Sequence, residues 1–85
     1  MSLTLYEQEG CPYCEKVADR LDGLDLEYES VWVSERHSER EEVKQLTGQR
    51  QVPVIVDENR CVTIPESSRI IKYLDATYDQ TEDSD

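Results

Sequence analysis

Cys11-Pro12-Tyr13-Cys14 falls at the seam between two hydrophobic patterns, and that seam restricts the chain more than any other feature. Upstream, Leu3-Thr4-Leu5-Tyr6 alternates as a strand does. Downstream, Cys14, Val17, Ala18 and Leu21 share one helical face, while Glu15, Lys16, Asp19 and Asp22 point away from it. Gly23 stands where such a helix would end. With Cys11 at the N-cap, Pro12 takes the first helical position, where a missing N–H costs nothing. Cys14 is then the third helical residue and turns its N–H and sulfur back toward Cys11. The pair is therefore expected at the open end of a helix, directly after a strand.

The remaining elements follow from the same rules. Leu26 to Val33, rich in β-branched and aromatic residues, predicts a second strand. Ser38-Glu39-Arg40-Glu41 has the Ser-x-x-Glu form of a capping box. It predicts a short helix that carries Val43 and Leu46 inward and stops at Gly48. Pro53 to Val56 reads as a third strand and Arg60 to Ile64 as a fourth, joined by a tight turn at Asp57-Glu58-Asn59. After Pro65, the spacing of Ile70, Ile71, Leu74 and Tyr78 marks a last helix. The order β-α-β-α-β-β-α makes the first two strands parallel and the last two an antiparallel hairpin. The expected class is α/β, a four-stranded mixed sheet flanked by helices. One domain is expected over residues 1–78, followed by an acidic tail, 79–85, that lacks apolar residues and is expected to be disordered.

Composition bounds the rest. Eighty-five residues, 36% of them hydrophobic, allow one small core. No run is long and apolar enough for a membrane span or a signal peptide, so the expected location is cytoplasmic, with no membrane partner. Twenty acids against nine bases give a net charge of −11, which argues against nucleic acid, whose phosphates would be repelled. The same surface suits high salt and resembles proteins of halophilic organisms; an ordinary acidic protein is the plainer reading.

Three cysteines do not make a disulfide framework, and a close pair in such a chain favours redox or metal chemistry. Unpaired N–H groups and the positive helix end favour a thiolate at Cys11, with Glu7, Glu9 and Glu15 opposing it. Cys14, on the face with Val17 and Leu21, is the less accessible sulfur. Cys11 is thus assigned as nucleophile and Cys14 as the thiol that resolves the mixed disulfide. The competing readings are a zinc site completed by Cys61 and His37, an inert disulfide, and coincidence.

Cys11-Pro12-Tyr13-Cys14 matches the dithiol motif of the glutaredoxins, and the chain resembles that family, of thioredoxin fold, to about Tyr78. Gln51-Val52-Pro53 stands where glutaredoxins carry Thr-Val-Pro. The resemblance implies a cis Pro53 beside Cys11, a Val52 backbone that pairs with the cysteinyl unit of a bound thiol, and an exposed Tyr13 flanking it. Ile64-Pro65-Glu66-Ser67-Ser68 is similar instead to the Pro-Glu-Ser segment of glutathione S-transferase N-terminal domains. It implies that Ser67 takes the γ-glutamyl α-carboxylate at a helix N-terminus and Glu66 its α-ammonium. Glutaredoxins commonly place a lysine where Gln8 stands, which leaves Arg50 and Gln49 as candidates for the glycyl carboxylate.

The implied function is a monomeric, metal-free thiol–disulfide oxidoreductase that reduces protein or mixed disulfides. Its low-molecular-weight thiol is glutathione or γ-glutamylcysteine, and its potential lies near the roughly −200 to −230 mV of glutaredoxins. The alternatives are a redoxin serving ribonucleotide reductase and recharged by thioredoxin reductase, and a thiol- or iron–sulfur-binding module without turnover. Outside the motifs, Cys61 is expected as a small buried residue of the fourth strand, or else a regulatory thiol. Trp32 is expected to pack, and His37 to lie on the surface.

Overall fold

The computed structural model describes residues 3–78; the segment 79–85, expected as a disordered tail, lies outside the described residues. β1 (Leu3–Glu7) leads into α1 (Pro12–Gly23), which crosses over to β2 (Glu29–Trp32). A 3₁₀ turn (His37–Glu39) and α2 (Glu41–Thr47) return the chain to β3 (Val54–Asp57), β4 (Val62–Pro65) and α3 (Ser67–Tyr78). Across the sheet the order is β2-β1-β3-β4; β1 and β2 are parallel, and the β1–β3 and β3–β4 pairs are antiparallel. This is the mixed sheet that the sequence predicts.

Alternation along β1 divides the core. Leu3 and Leu5 face α1 and α3, where Val17, Leu21, Ile55, Ile70 and Leu74 complete the larger cluster. On the opposite face Val54 meets Val33 and Val43, the last from α2. Arg20 of α1 and Asp75 of α3 form an ion pair at 2.5 Å that ties the two helices together. The same alternation puts Glu7 inward, at 5% exposure, beneath the start of α1.

Five expectations are corrected. α2 has no capping box: Arg40 is its N-cap, no side chain closes the cap, and Ser38 and Glu39 belong to the 3₁₀ turn. The physical reason is Arg40 itself, only 2% exposed. Its guanidinium donates to the carbonyls of Ser34 (2.7 Å) and Arg50 (2.9 Å) and to the Gln8 side-chain oxygen, and so anchors the segment in place of a hydroxyl. Leu46 is exposed rather than inward, because this seven-residue helix presents only Val43 to the core. β2 is shorter than expected, although Leu26 and Tyr28 still pack against the core from the approach to it. Trp32, at the end of that edge strand, is 60% exposed instead of packed. Cys61 is exposed, since β4 begins only at Val62 and Cys61 sits in the preceding turn with a left-handed φ of 56°.

Candidate active site

The site is built at one end of the strands. β3 and β4 alternate in direction against β1, so the end of β1, the start of β3 and the end of β4 all reach the same side. The segments that continue from these ends are the cysteine pair, Gln51-Val52-Pro53, and Glu66-Ser67. Residues far apart in sequence are thus assembled by topology alone.

Gly10 adopts a φ of 78°, open to glycine at no steric cost, and delivers Cys11 in the extended conformation (φ −90°, ψ 112°) that an N-cap requires. The Cys14 N–H donates to the Cys11 sulfur at 3.2 Å, so a thiol occupies the place that a serine or aspartate oxygen usually takes. Cys11 is partly exposed and Cys14 has no exposure at all. Burial, followed by the hydrogen bond to Cys11 and the charges of Cys11 and Glu7, pushes the Cys14 thiol up to about 12. Cys14 therefore keeps its proton at neutral pH while facing the Cys11 sulfur. Cys61 lies beyond the far end of β3 and cannot join the pair on one metal ion.

Beside the pair lies an open groove of about 280 Å³, just below the roughly 300–1,000 Å³ typical of small-ligand clefts. Tyr13, 58% exposed, borders it next to the thiols; Gln51, Val52 and Pro53 form one wall. The opposite wall is Pro65 and Glu66 with the first two residues of α3, Ser67 and Ser68. The Val52–Pro53 peptide is cis, as expected. Glu66 has a left-handed φ of 74°, a conformation that costs a non-glycine residue about 1–3 kcal/mol and recurs at functional sites. Its N–H donates to the Pro53 carbonyl (3.3 Å) and its own carbonyl accepts from Ile70 (2.9 Å), which starts α3. The N–H groups of Ser67 and Ser68 are then first-turn donors without a partner inside the helix.

Six of the seven residues expected around a bound thiol thus line one groove: Tyr13, Gln51, Val52, Pro53, Glu66 and Ser67. Arg50 does not; its Nη2 pairs with Glu41 at 2.8 Å, and its Nε is buried without a partner among the described residues. Gln49 also stays outside the groove; its backbone N–H donates to the Thr47 hydroxyl at 3.1 Å. Sequence reasoning missed Arg40, hidden inside what reads as a capping box. It links Gln8, before the cysteines, to Arg50, before Val52, and so couples the two loops of the site. It also missed the burial of Glu7, although the alternation Leu3, Leu5, Glu7 carried that signal.

Comparison with known proteins shows the family and the fold. Residues 5–82 match the family described as glutathione S-transferase, N-terminal domain. An uncharacterized glutaredoxin-like protein of the Clostridium pasteurianum rubredoxin operon is 34% identical over 53 residues, 62% of this chain and 71% of that one. Prostaglandin E synthase 2 of Danio rerio is 40% identical over 83 residues, 98% of this chain but 21% of that protein. Among solved structures, a glutathione transferase of Phanerochaete chrysosporium in complex with oxidized glutathione superposes with a TM-score of 0.84 at 33% identity. That match covers 93% of this chain and 37% of the transferase. The chain therefore spans about a fifth of the synthase and just over a third of the transferase. The fold is thioredoxin-like.

Proposed function

The chain belongs to the family of glutathione S-transferase N-terminal domains, and on that premise we propose that it is a dithiol thiol–disulfide oxidoreductase using glutathione or γ-glutamylcysteine. The observation that carries the reading is the asymmetry of the pair: Cys11 partly exposed as helix cap, Cys14 wholly buried and bonded to it. A family member that only held a thiol would need no second, shielded cysteine.

The steps follow from the placement. The Cys11 thiolate attacks a substrate disulfide; one S–S bond breaks, one forms, and the leaving sulfur departs as thiolate and takes a proton from solvent. Once Cys11 is in a mixed disulfide, it no longer carries charge beside Cys14. The hydrogen bond and repulsion that held the Cys14 proton are then relieved. Cys14 ionises, attacks the Cys11 sulfur and releases the second substrate thiol, leaving a Cys11–Cys14 disulfide. Two small thiols reduce this in turn and leave as their own disulfide, so electrons and protons balance.

The groove supplies the small-thiol site. Glu66 is the one charged side chain on its lining among the described residues and suits an α-ammonium, while the first N–H groups of α3 suit an α-carboxylate. The Val52 backbone, on the groove wall, would pair with the cysteinyl unit. Neither candidate for a glycyl carboxylate lines the groove: Arg50 pairs with Glu41 through its Nη2, and Gln49 lies outside it. This favours γ-glutamylcysteine, which carries no glycine. Activity measured on two substrates tests the assignment. Cys14→Ser should keep deglutathionylation within a few-fold and lose reduction of protein disulfides, whereas Cys11→Ser should lose both. Activity retained by Cys11→Ser in either assay would show the roles to be wrong.

A further inference from the structure

The protein has a second cleft, of about 340 Å³, walled by Glu9, Trp32 and Val33. It lies on the β2 side of the end of β1, whereas the small-thiol groove lies on the β3–β4 side, because β1 stands between β2 and β3. The reactive cysteine follows the end of β1, so the two clefts flank it. A disulfide approaching Cys11 has two halves, and the groove with Glu66 suits only one of them. We infer that the cleft between Glu9 and Trp32 receives the other half, and specifically a basic side chain, arginine or lysine, near the cysteine of a protein substrate. This inference rests on the oxidoreductase reading above.

Three observations point to that occupant. Trp32 is 60% exposed on a chain whose hydrophobic side chains are otherwise mostly covered, and aromatic anchors of this kind dominate protein contacts. An indole face attracts a cation, arginine above all, and the Glu9 carboxylate on the same cleft offers it a counter-charge. The chain carries a net charge of −11, so a cationic segment is drawn in and an anionic one repelled. The partner of stated chemistry is therefore a cysteine-bearing segment with flanking arginine or lysine.

The test uses the fact that Trp32 is the only tryptophan in the chain, so its emission reports on this cleft directly. Short S-methylcysteine peptides, flanked by arginine or by glutamate, bind without any exchange reaction and serve as probes. The arginine peptide should shift Trp32 emission saturably and bind about five- to tenfold more tightly than the glutamate peptide. Glu9→Gln should erase most of that difference, whereas Glu58→Gln, in the turn at the far end of the sheet, should not. Equal binding of both peptides, no emission change, or equal losses in Glu9→Gln and Glu58→Gln would overturn the inference. A turnover arm compares glutathionylated forms of the two peptides, and in Trp32→Ala the arginine-to-glutamate ratio of kcat/KM should fall toward one. If no disulfide is turned over at all, the oxidoreductase reading fails, while the emission titration still decides the cleft.

Discussion

At the scale of single residues the account turns on two sulfurs three positions apart in unlike surroundings. Cys14 is buried, bonded to Cys11 and held protonated, with its thiol pushed up to about 12. A thiol attacks as its thiolate, and well below the pKa the thiolate fraction grows tenfold per pH unit. Burial, the largest cause of that rise, remains when Cys11 is in a mixed disulfide and no longer charged, so closure of the Cys11–Cys14 disulfide from a preformed Cys11 mixed disulfide should still accelerate with pH. Rapid-quench measurement between pH 6 and 8 should show a rate that still rises at the upper end; a plateau below pH 7 would contradict it. The unequal burial of the two sulfurs was legible in the sequence, because helical spacing places Cys14 with Val17 and Leu21. Arg40 and Trp32 were not. A buried arginine declares itself only through acceptors from three loops, and an edge-strand tryptophan looks the same in sequence whether or not anything covers it.

At the scale of elements, α3 lines the groove with Ser67 and Ser68 at its first turn and is pinned at its other end by a buried carboxylate. Asp57, at the end of β3, accepts from Tyr73 (2.6 Å) and from Tyr78, and from the Asn59 N–H (3.1 Å). Burial alone would raise the Asp57 carboxyl; the two phenols and the turn N–H groups outweigh it and hold it below its ordinary value. The same contact, after burial itself, pushes Tyr78 up to about 12 and raises Tyr73. For Asp57, a depressed folded value means stability that is present above the unfolded carboxylate pKa of about 3.9 and lost as pH falls below it. For the tyrosines, a raised folded value means stability present below the unfolded pKa of about 10 and lost as pH climbs toward 12. Asp57→Asn should cost about 1–3 kcal/mol at pH 7 and flatten the acid limb of the stability curve, as read by urea melts from pH 3 to 7. An unchanged acid limb would remove Asp57 from the account. The elements themselves were legible, since period and turn chemistry gave their order, the β1–β2 and β3–β4 pairings and most boundaries to within a few residues. What failed was local detail: a Ser-x-x-Glu string reads as a cap whether or not a buried guanidinium has taken that role.

At the scale of the whole molecule, the net charge of −11 acts on every anionic partner. The Debye length is about 30 Å at 0.01 M salt and about 3 Å at 1 M, against a radius of gyration of 12.9 Å. In dilute buffer each small-thiol carboxylate feels the full acidic surface; in molar salt it feels only its immediate contacts. KM for glutathione and for γ-glutamylcysteine should both fall on going to molar salt, with that for γ-glutamylcysteine the lower there. A clear preference for glutathione in molar salt would remove γ-glutamylcysteine as the favoured thiol. The central claim, that Cys11 takes the substrate sulfur and Cys14 resolves it, is tested most directly by locating the sulfur adducts. Reduced protein and its Cys14→Ser variant, both carrying Cys61→Ser, would be treated with oxidised glutathione and mapped by mass spectrometry. The account predicts a Cys11–Cys14 disulfide in the first and a stable glutathionyl adduct on Cys11 in the second. Absence of both products, or an adduct on Cys14 in the first, would contradict it.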